Sequence, residues 1–265
     1  VGLTRMTYDS GAPPLPAALV VRPRLDDMML STPPGGTCVI TCAPGYGVTT
    51  ALAQAMRSQR CAWVALDPAV RDDEARALFA ASVDADGDTL DDVLVALASG
   101  DIDWLVLDGI DPDLHPGLTR DLAAVVLRLP ATTRLAVSSH RRIGPFHRAI
   151  TLDERDLAFD PDESFAVIQA ITPQVDIEDA EAVISLAEGW AAALVAGAMH
   201  MRVSSRPWRA DEVAAELLGA WFESLPQQLR GFLNATAVLN ELSAGPASAV
   251  TGVEDAAEIL LGLGL

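Results

Sequence analysis

The chain has no lysine: its 18 basic residues are all arginines, they face 37 carboxylates, and the formal net charge is −19. Phosphate neutralisation needs clustered cations, so this balance excludes a direct grip on DNA or on an anionic membrane. Any site whose chemistry calls for lysine must use an arginine, a partner, or nothing. Cysteine is scarce too: Cys38, Cys42 and Cys61 are odd in number and form no CxxC pair, which excludes a disulfide framework and suits small core residues in a reducing cytoplasm. The four histidines, His115, His140, His147 and His200, lack metal-ligand spacing. Aromatic residues make up 5% of the chain, and Trp63, Trp104 and Trp190 fall in or beside apolar runs, where packing is their first use. There is no secretory n-region and h-region, and the longest apolar run, Gly189 to Met199, is too short to span a bilayer. No nucleophile elbow or triad spacing stands out. The expectation is a soluble, cytoplasmic protein that makes no membrane contact.

What is present is a globular composition, 50% hydrophobic with mean hydropathy +0.27 over 265 residues. That is enough for one large domain or two smaller ones. Residues 1–35 are rich in Pro and Gly and read as a lead-in rather than a core element. Short apolar runs then alternate with helical patterns. Strands are expected at Thr37–Thr41, Ala62–Leu66, Trp104–Leu107 and Arg134–Val137, with helices at Thr49–Ser58, Asp73–Ser82, Thr89–Ala98 and Gly117–Leu127. Strands this continuously apolar imply an α/β fold, a parallel sheet with helices on both faces, over residues 36–150. Beyond about Ile150 the patterns are helical: Ser164–Ile171, Asp176–Glu188, Trp190–Arg202 and Ala210–Phe222. A helical domain is therefore expected over 151–205, and a further one, read as cut from a longer chain, over 206–265. Asp153 to Glu188 holds eleven carboxylates and Arg155 alone as a base, which reads as solvated helix faces. Val213, Leu217, Trp221, Leu225, Leu229 and Phe232 recur at helical spacing and read as core.

One segment carries chemistry. Cys42-Ala43-Pro44-Gly45-Tyr46-Gly47-Val48-Thr49-Thr50 follows an apolar strand and opens an Ala-rich helix. In a P-loop, glycines let backbone N–H groups converge on phosphates at a helix N-terminus, a lysine reaches the terminal phosphates, and a Ser or Thr hydroxyl holds Mg²⁺. Gly47, Thr49 and Thr50 fit this scheme, whereas Cys42 replaces the first glycine and Val48 replaces the lysine. The second half of the signature is Trp104-Leu105-Val106-Leu107-Asp108, an acidic residue at the C-terminal end of a buried strand, where open α/β sheets bind ligands. Thr49 and Asp108 are thus the candidate Mg²⁺ ligands, and Gly45, Tyr46, Gly47, Val48, Thr49 and Thr50 the candidate phosphate cradle. The carboxylate that orients water would fall at Gly109, and Asp111 lies two residues further on. His140-Arg141-Arg142 follow the next strand and are either sensors of a terminal phosphate or surface residues. A charged hydrogen bond contributes about 1.5–3 kcal/mol, so the loss of the lysine alone weakens binding roughly 10- to 150-fold.

Taken in order, Arg22-Pro23-Arg24-Leu25, Ala43 to Thr50, Ala62 to Asp67, Leu105 to Asp108, Leu157-Ala158-Phe159, Ala187 to Ala192 and Leu225 to Leu233 resemble the N-terminal part of the large ATP-binding LuxR-family regulators, the MalT-like, STAND-class P-loop ATPases. The resemblance implies a P-loop sheet domain, a helical domain and the start of a winged-helix domain. It also implies a switch in which ADP locks a closed monomer, and in which an inducer of unknown identity together with ATP permits self-association. DNA would be bound only through a C-terminal domain absent from these residues. By the same analogy Arg22, Arg24 and Trp190 would lie near the adenine, and no residue is assigned a catalytic role. Family members usually carry lysine at the place of Val48, a second acid at Gly109, and often arginine near His140. The expectation is a degenerate site that holds ATP or ADP with Mg²⁺ weakly or not at all and hydrolyses little or none. Two alternatives stay open: an active P-loop ATPase using a substitute arginine, and a nucleotide-independent interaction scaffold.

Overall fold

Apolar runs of the kind just described need partners on both faces, and a computed structural model of the chain supplies them. It describes residues 12–66, 70–87, 89–99, 102–144, 146, 149–204, 219, 222, 227–239, 242–253 and 255–262. Five strands, β1 (Thr37–Thr41), β2 (Cys61–Ala65), β3 (Trp104–Asp108), β4 (Arg134–Ser139) and β5 (Ala149–Leu152), form one sheet in the order β2-β3-β4-β1-β5. Each adjacent pair is parallel, with Cys38 opposite Ala136 and Ile150, and Val106 opposite Trp63 and Ala136. All five C-terminal strand ends therefore lie along one edge.

Side-chain alternation at period two divides the core. Ala62, Val64, Leu105, Leu107, Leu135 and Val137 pack on one face with α3 (Asp72–Ser82), α4 (Leu90–Ser99) and α5 (Pro116–Arg128). Cys38, Ile40, Trp63, Trp104, Val106 and Ala136 pack on the other with α1 (Pro23–Leu30) and α2 (Val48–Met56). The strands and helices expected over 36–150 agree to within two residues, and the helix expected from Ser164 starts three residues earlier, at Pro161; two corrections are needed. Residues 1–35 are more than a lead-in, because Pro23 opens α1 at its first turn and Leu25 and Met29, four apart, are fully buried against the sheet. The sheet also extends past residue 150: β5 is an edge strand whose one buried residue is Leu152.

The chain divides into two compact units, Val1–Glu163 and Ser164–Leu265, the boundary falling inside α7 (Pro161–Ile171). The first also contains α6 (Glu154–Leu157). In the second, α8 (Ile177–Ala187) and α9 (Ala191–Val203) pack as a pair, and Ala180, Val183, Ala187, Leu194 and Ala198 are buried. Glu188 and Gly189, both at positive φ, reverse the chain between them, and Trp190 caps α9 with its carbonyl accepting from Leu194 N–H at 3.1 Å. Three later helices, α10 (Gln227–Thr236), α11 (Ala244–Thr251) and α12 (Ala256–Gly262), share a core of Phe232, Ala247, Ala256 and Leu260. Asp67, His147 and nearly all of the helix expected at Ala210–Phe222 lie outside the described residues. Among the described residues no helix is long and apolar enough to cross a membrane, and no group of three or more His, Cys, Asp or Glu side chains is arranged to hold a metal.

Candidate functional site: the loop after the first strand

The loop begins where β1 runs out, one further ladder bond joining Cys42 N–H to Ser139 O at 3.2 Å. Two of its residues must be glycine for backbone reasons: Gly45 has φ 89° and Gly47 φ 76°, in the left-handed region that side chains disfavour. Gly47 is the N-cap of α2 and supplies no side-chain hydrogen bond to the helix's first N–H groups. Val48 and Tyr46 are half-buried against the α1/α2 core cluster. The side chain at the lysine position is thus apolar and packed inward.

Thr49 Oγ donates to Asp108 Oδ2 at 2.7 Å, and Ser138 Oγ donates to Asp108 Oδ1 at 2.6 Å while accepting from Gly109 N–H at 2.8 Å. Asp108 is 6% exposed, and two hydroxyls on its two oxygens offset the cost of burying the carboxylate. One alcohol and one carboxylate meeting beside a Gly-rich turn form an oxygen donor set suited to Mg²⁺, so the metal half of the signature fits. The water-activating half does not. Gly109 has φ 86°, and a Cβ built there would stand 2.7 Å from Leu66 O, so this position accepts no carboxylate without backbone movement. Ser138 is a site residue that the sequence reading passed over.

The flanking basic residues have other contacts. His140 Nδ1 lies 3.1 Å from Cys42 O; because a carbonyl only accepts, Nδ1 carries the proton. Arg141 pairs with Asp113 at 2.8 Å. Arg22, 4% exposed, donates to Leu157 O at 2.8 Å and Ala158 O at 2.9 Å, pairs with Glu163 at 3.2 Å and stacks 3.9 Å over the Phe159 ring. Burial lowers its pKa, and Glu163 opposes that shift. Arg24 donates to Asp156 O and Ala158 O and pairs with Glu163. Both arginines of the Arg-Pro-Arg run therefore bind the stretch that follows β5, while Trp190 belongs to the second unit. Glu154, unnoticed in sequence, accepts from Ala43 N–H at 3.0 Å.

A five-stranded parallel sheet with a glycine loop after β1 and a buried aspartate ending β3 defines the P-loop ATPase fold. Solved structures agree at the level of fold. The chain is similar to a STAND protein with a tetratricopeptide repeat sensor from Pyrococcus horikoshii (TM-score 0.58, 13% identity, 98% of this chain and 41% of that one). It is also similar to a Walker-type ATPase of Pyrococcus abyssi (TM-score 0.64, 13% identity, 92% and 89%). No curated protein matches it in sequence. Residues 218–264 match the family model of the MalT winged helix domain. A STAND-like fold joined to that C-terminal match bears out the resemblance to the MalT-like P-loop regulators, of which a winged-helix start was expected. The chain spans 41% of the length of the P. horikoshii protein.

Proposed function

We propose that this chain is the nucleotide-binding and oligomerisation module of a cytoplasmic STAND-type transcriptional regulator, one that holds ADP or ATP passively and does not turn it over. The observation that carries this reading is the asymmetry of the site. Gly45 and Gly47 hold left-handed backbone and Thr49 meets Asp108, which supports a role for them toward phosphate and Mg²⁺, while packed Val48 and left-handed Gly109 stand where groups acting on the terminal phosphate would be expected. A bound Mg²⁺–nucleotide would find Thr49 and Asp108 as metal ligands and the N–H groups at the start of α2 for its phosphates. Self-association, an inducer, and DNA binding through a separate domain follow from the family resemblance.

The test is calorimetric titration of the chain with ADP and ATP, with and without Mg²⁺, beside Val48→Lys, together with phosphate release. Weak binding by the native chain, a gain of about 10-fold or more in Val48→Lys, and no release above background in either are expected. Mg²⁺-dependent turnover by the native chain would return the active-ATPase reading. No binding by either protein would leave the nucleotide-independent scaffold.

A further inference from the structure

The peptide group joining Cys42 to Ala43 is held at both polar atoms by side chains from the ends of two other strands. Its carbonyl accepts from His140 Nδ1 at 3.1 Å, just beyond β4, and its N–H donates to Glu154 Oε1 at 3.0 Å, just beyond β5. Because β4 and β5 flank β1 in the sheet, the strand order itself brings these two residues to opposite sides of the loop's first peptide. That peptide cannot turn without breaking both bonds, and the peptide before it is tied in turn by Cys42 N–H to Ser139 O.

The clamp also carries charge. Glu154 is half-buried beside Asp153, in a helical turn closed by a capping box between Asp153 and Asp156. Burial first, and then the negative field of Glu154 and Asp153, push the Cys42 thiol up to about 12. A phosphate bound along the loop that opens at Ala43 would meet that same field, and the packed Val48 offers no cation to offset it. The stretch that presents Glu154 is in turn gripped by Arg22 and Arg24 through the carbonyls of Asp156, Leu157 and Ala158.

Resting on the nucleotide-binding reading above, we propose that Glu154 is a built-in anion gate: its carboxylate fixes the Cys42–Ala43 peptide and opposes the phosphates of a nucleoside diphosphate at the loop. Occupancy of the loop and retention of this contact then work against each other, and the 154–163 stretch held by Arg22 and Arg24 senses the outcome. Glu154 touches the loop rather than the ligand, so it is a positioning residue.

Glu154→Gln isolates the charge, because the amide oxygen still accepts from Ala43 N–H. ADP is titrated into the native chain, Glu154→Gln, Val48→Lys and the double variant, at low salt and at about 0.5 M salt. The expected result is that Glu154→Gln tightens ADP by about threefold or more at low salt in whichever background binds, with the gain shrinking at high salt as the field is screened. A gain that persists undiminished at high salt, or ADP affinity that is unchanged or weaker in Glu154→Gln while Val48→Lys binds, overturns the gate and leaves the nucleotide reading standing. Absence of ADP binding in all four proteins overturns both. As a ligand-free readout, amide exchange at Ala43 is expected to rise in Glu154→Ala and to stay near native in Glu154→Gln; unchanged exchange in Glu154→Ala also overturns the clamp.

Discussion

Cys38 and Cys42 illustrate how far one residue's chemistry follows from its neighbours. Desolvation pushes both thiols from an ordinary 9.0 up to about 12, with a small opposing hydrogen bond from Thr32 at Cys38 and added repulsion from Glu154 and Asp153 at Cys42. A raised acid holds its proton longer in the folded state than in the unfolded one. Below pH 9 both states are protonated and the shift is without effect; above it the unfolded chain binds fewer protons, and stability falls until the folded thiols ionise near 12. The absence of lysine makes this visible, since the alkaline range is left to three thiols and two phenols among the side chains below arginine. Urea midpoints of the native chain are expected to fall between about pH 9 and 10.5, and more shallowly in a Cys38→Ala/Cys42→Ala variant. Equal slopes would mean that buried thiols do not set the alkaline limit. At the same scale, Thr49 and Asp108 were legible in sequence because the loop and the strand end fix them locally. Ser138 and Glu154 were not: they lie 30 residues from Asp108 and 111 from Ala43, and nothing in their own neighbourhoods announces those partners.

At the scale of elements, legibility followed burial. Strands β1, β3 and β4 are covered on both faces and read as unbroken apolar runs, while β5 has four residues and one buried side chain, too little pattern to register. Helix α1 escaped for a related reason: Leu25 and Met29 are its only buried residues, in a segment whose prolines read as loop. What the arginines of that segment do could not be read at all, because their partners are backbone carbonyls more than 130 residues away. Those contacts make α1 and the 156–163 stretch one structural piece. Arg22→Met keeps much of the aliphatic packing but takes the guanidinium donor from buried Leu157 O and leaves Ala158 O and the 13%-exposed Glu163 side chain with Arg24 as their remaining guanidinium partner. A loss of about 2–3 kcal/mol is expected. Arg24, whose side chain is 39% exposed, should cost less than half as much as Met. Chemical denaturation of both variants checks the ranking, and equal losses would show that the Arg22 clamp contributes no more than a surface contact.

For the molecule as a whole, charge is the dominant long-range fact: 37 carboxylates against 18 arginines. Residues 164–265 carry four of those arginines and thirteen of the carboxylates, so the excess is not confined to the sheet unit. Two effects of salt oppose each other. Screening weakens exposed pairs such as Arg71–Asp73 and Arg128–Asp91, each of which is worth a few tenths of a kcal/mol at most. It also relieves self-repulsion among the unpaired carboxylates, which acts over the whole surface and works against compactness. With roughly two acids for every base the second effect should win, raising the unfolding temperature by about 2–5 °C as ionic strength goes from roughly 0.01 to 0.3 M. A falling temperature would mean that the exposed ion pairs outweigh the net charge. On the proposed nucleotide-binding and self-association reading the same field bears on function, because two copies of this chain and a nucleotide are all anionic. Salt that stabilises the fold should also favour association of copies, while nucleotide binding gains only through relief of repulsion at the loop, where the start of α2 supplies the attraction. A chain whose association rises with salt while its ADP affinity also rises would have both steps limited by carboxylates. Glu154→Gln should then change the second step without changing the first.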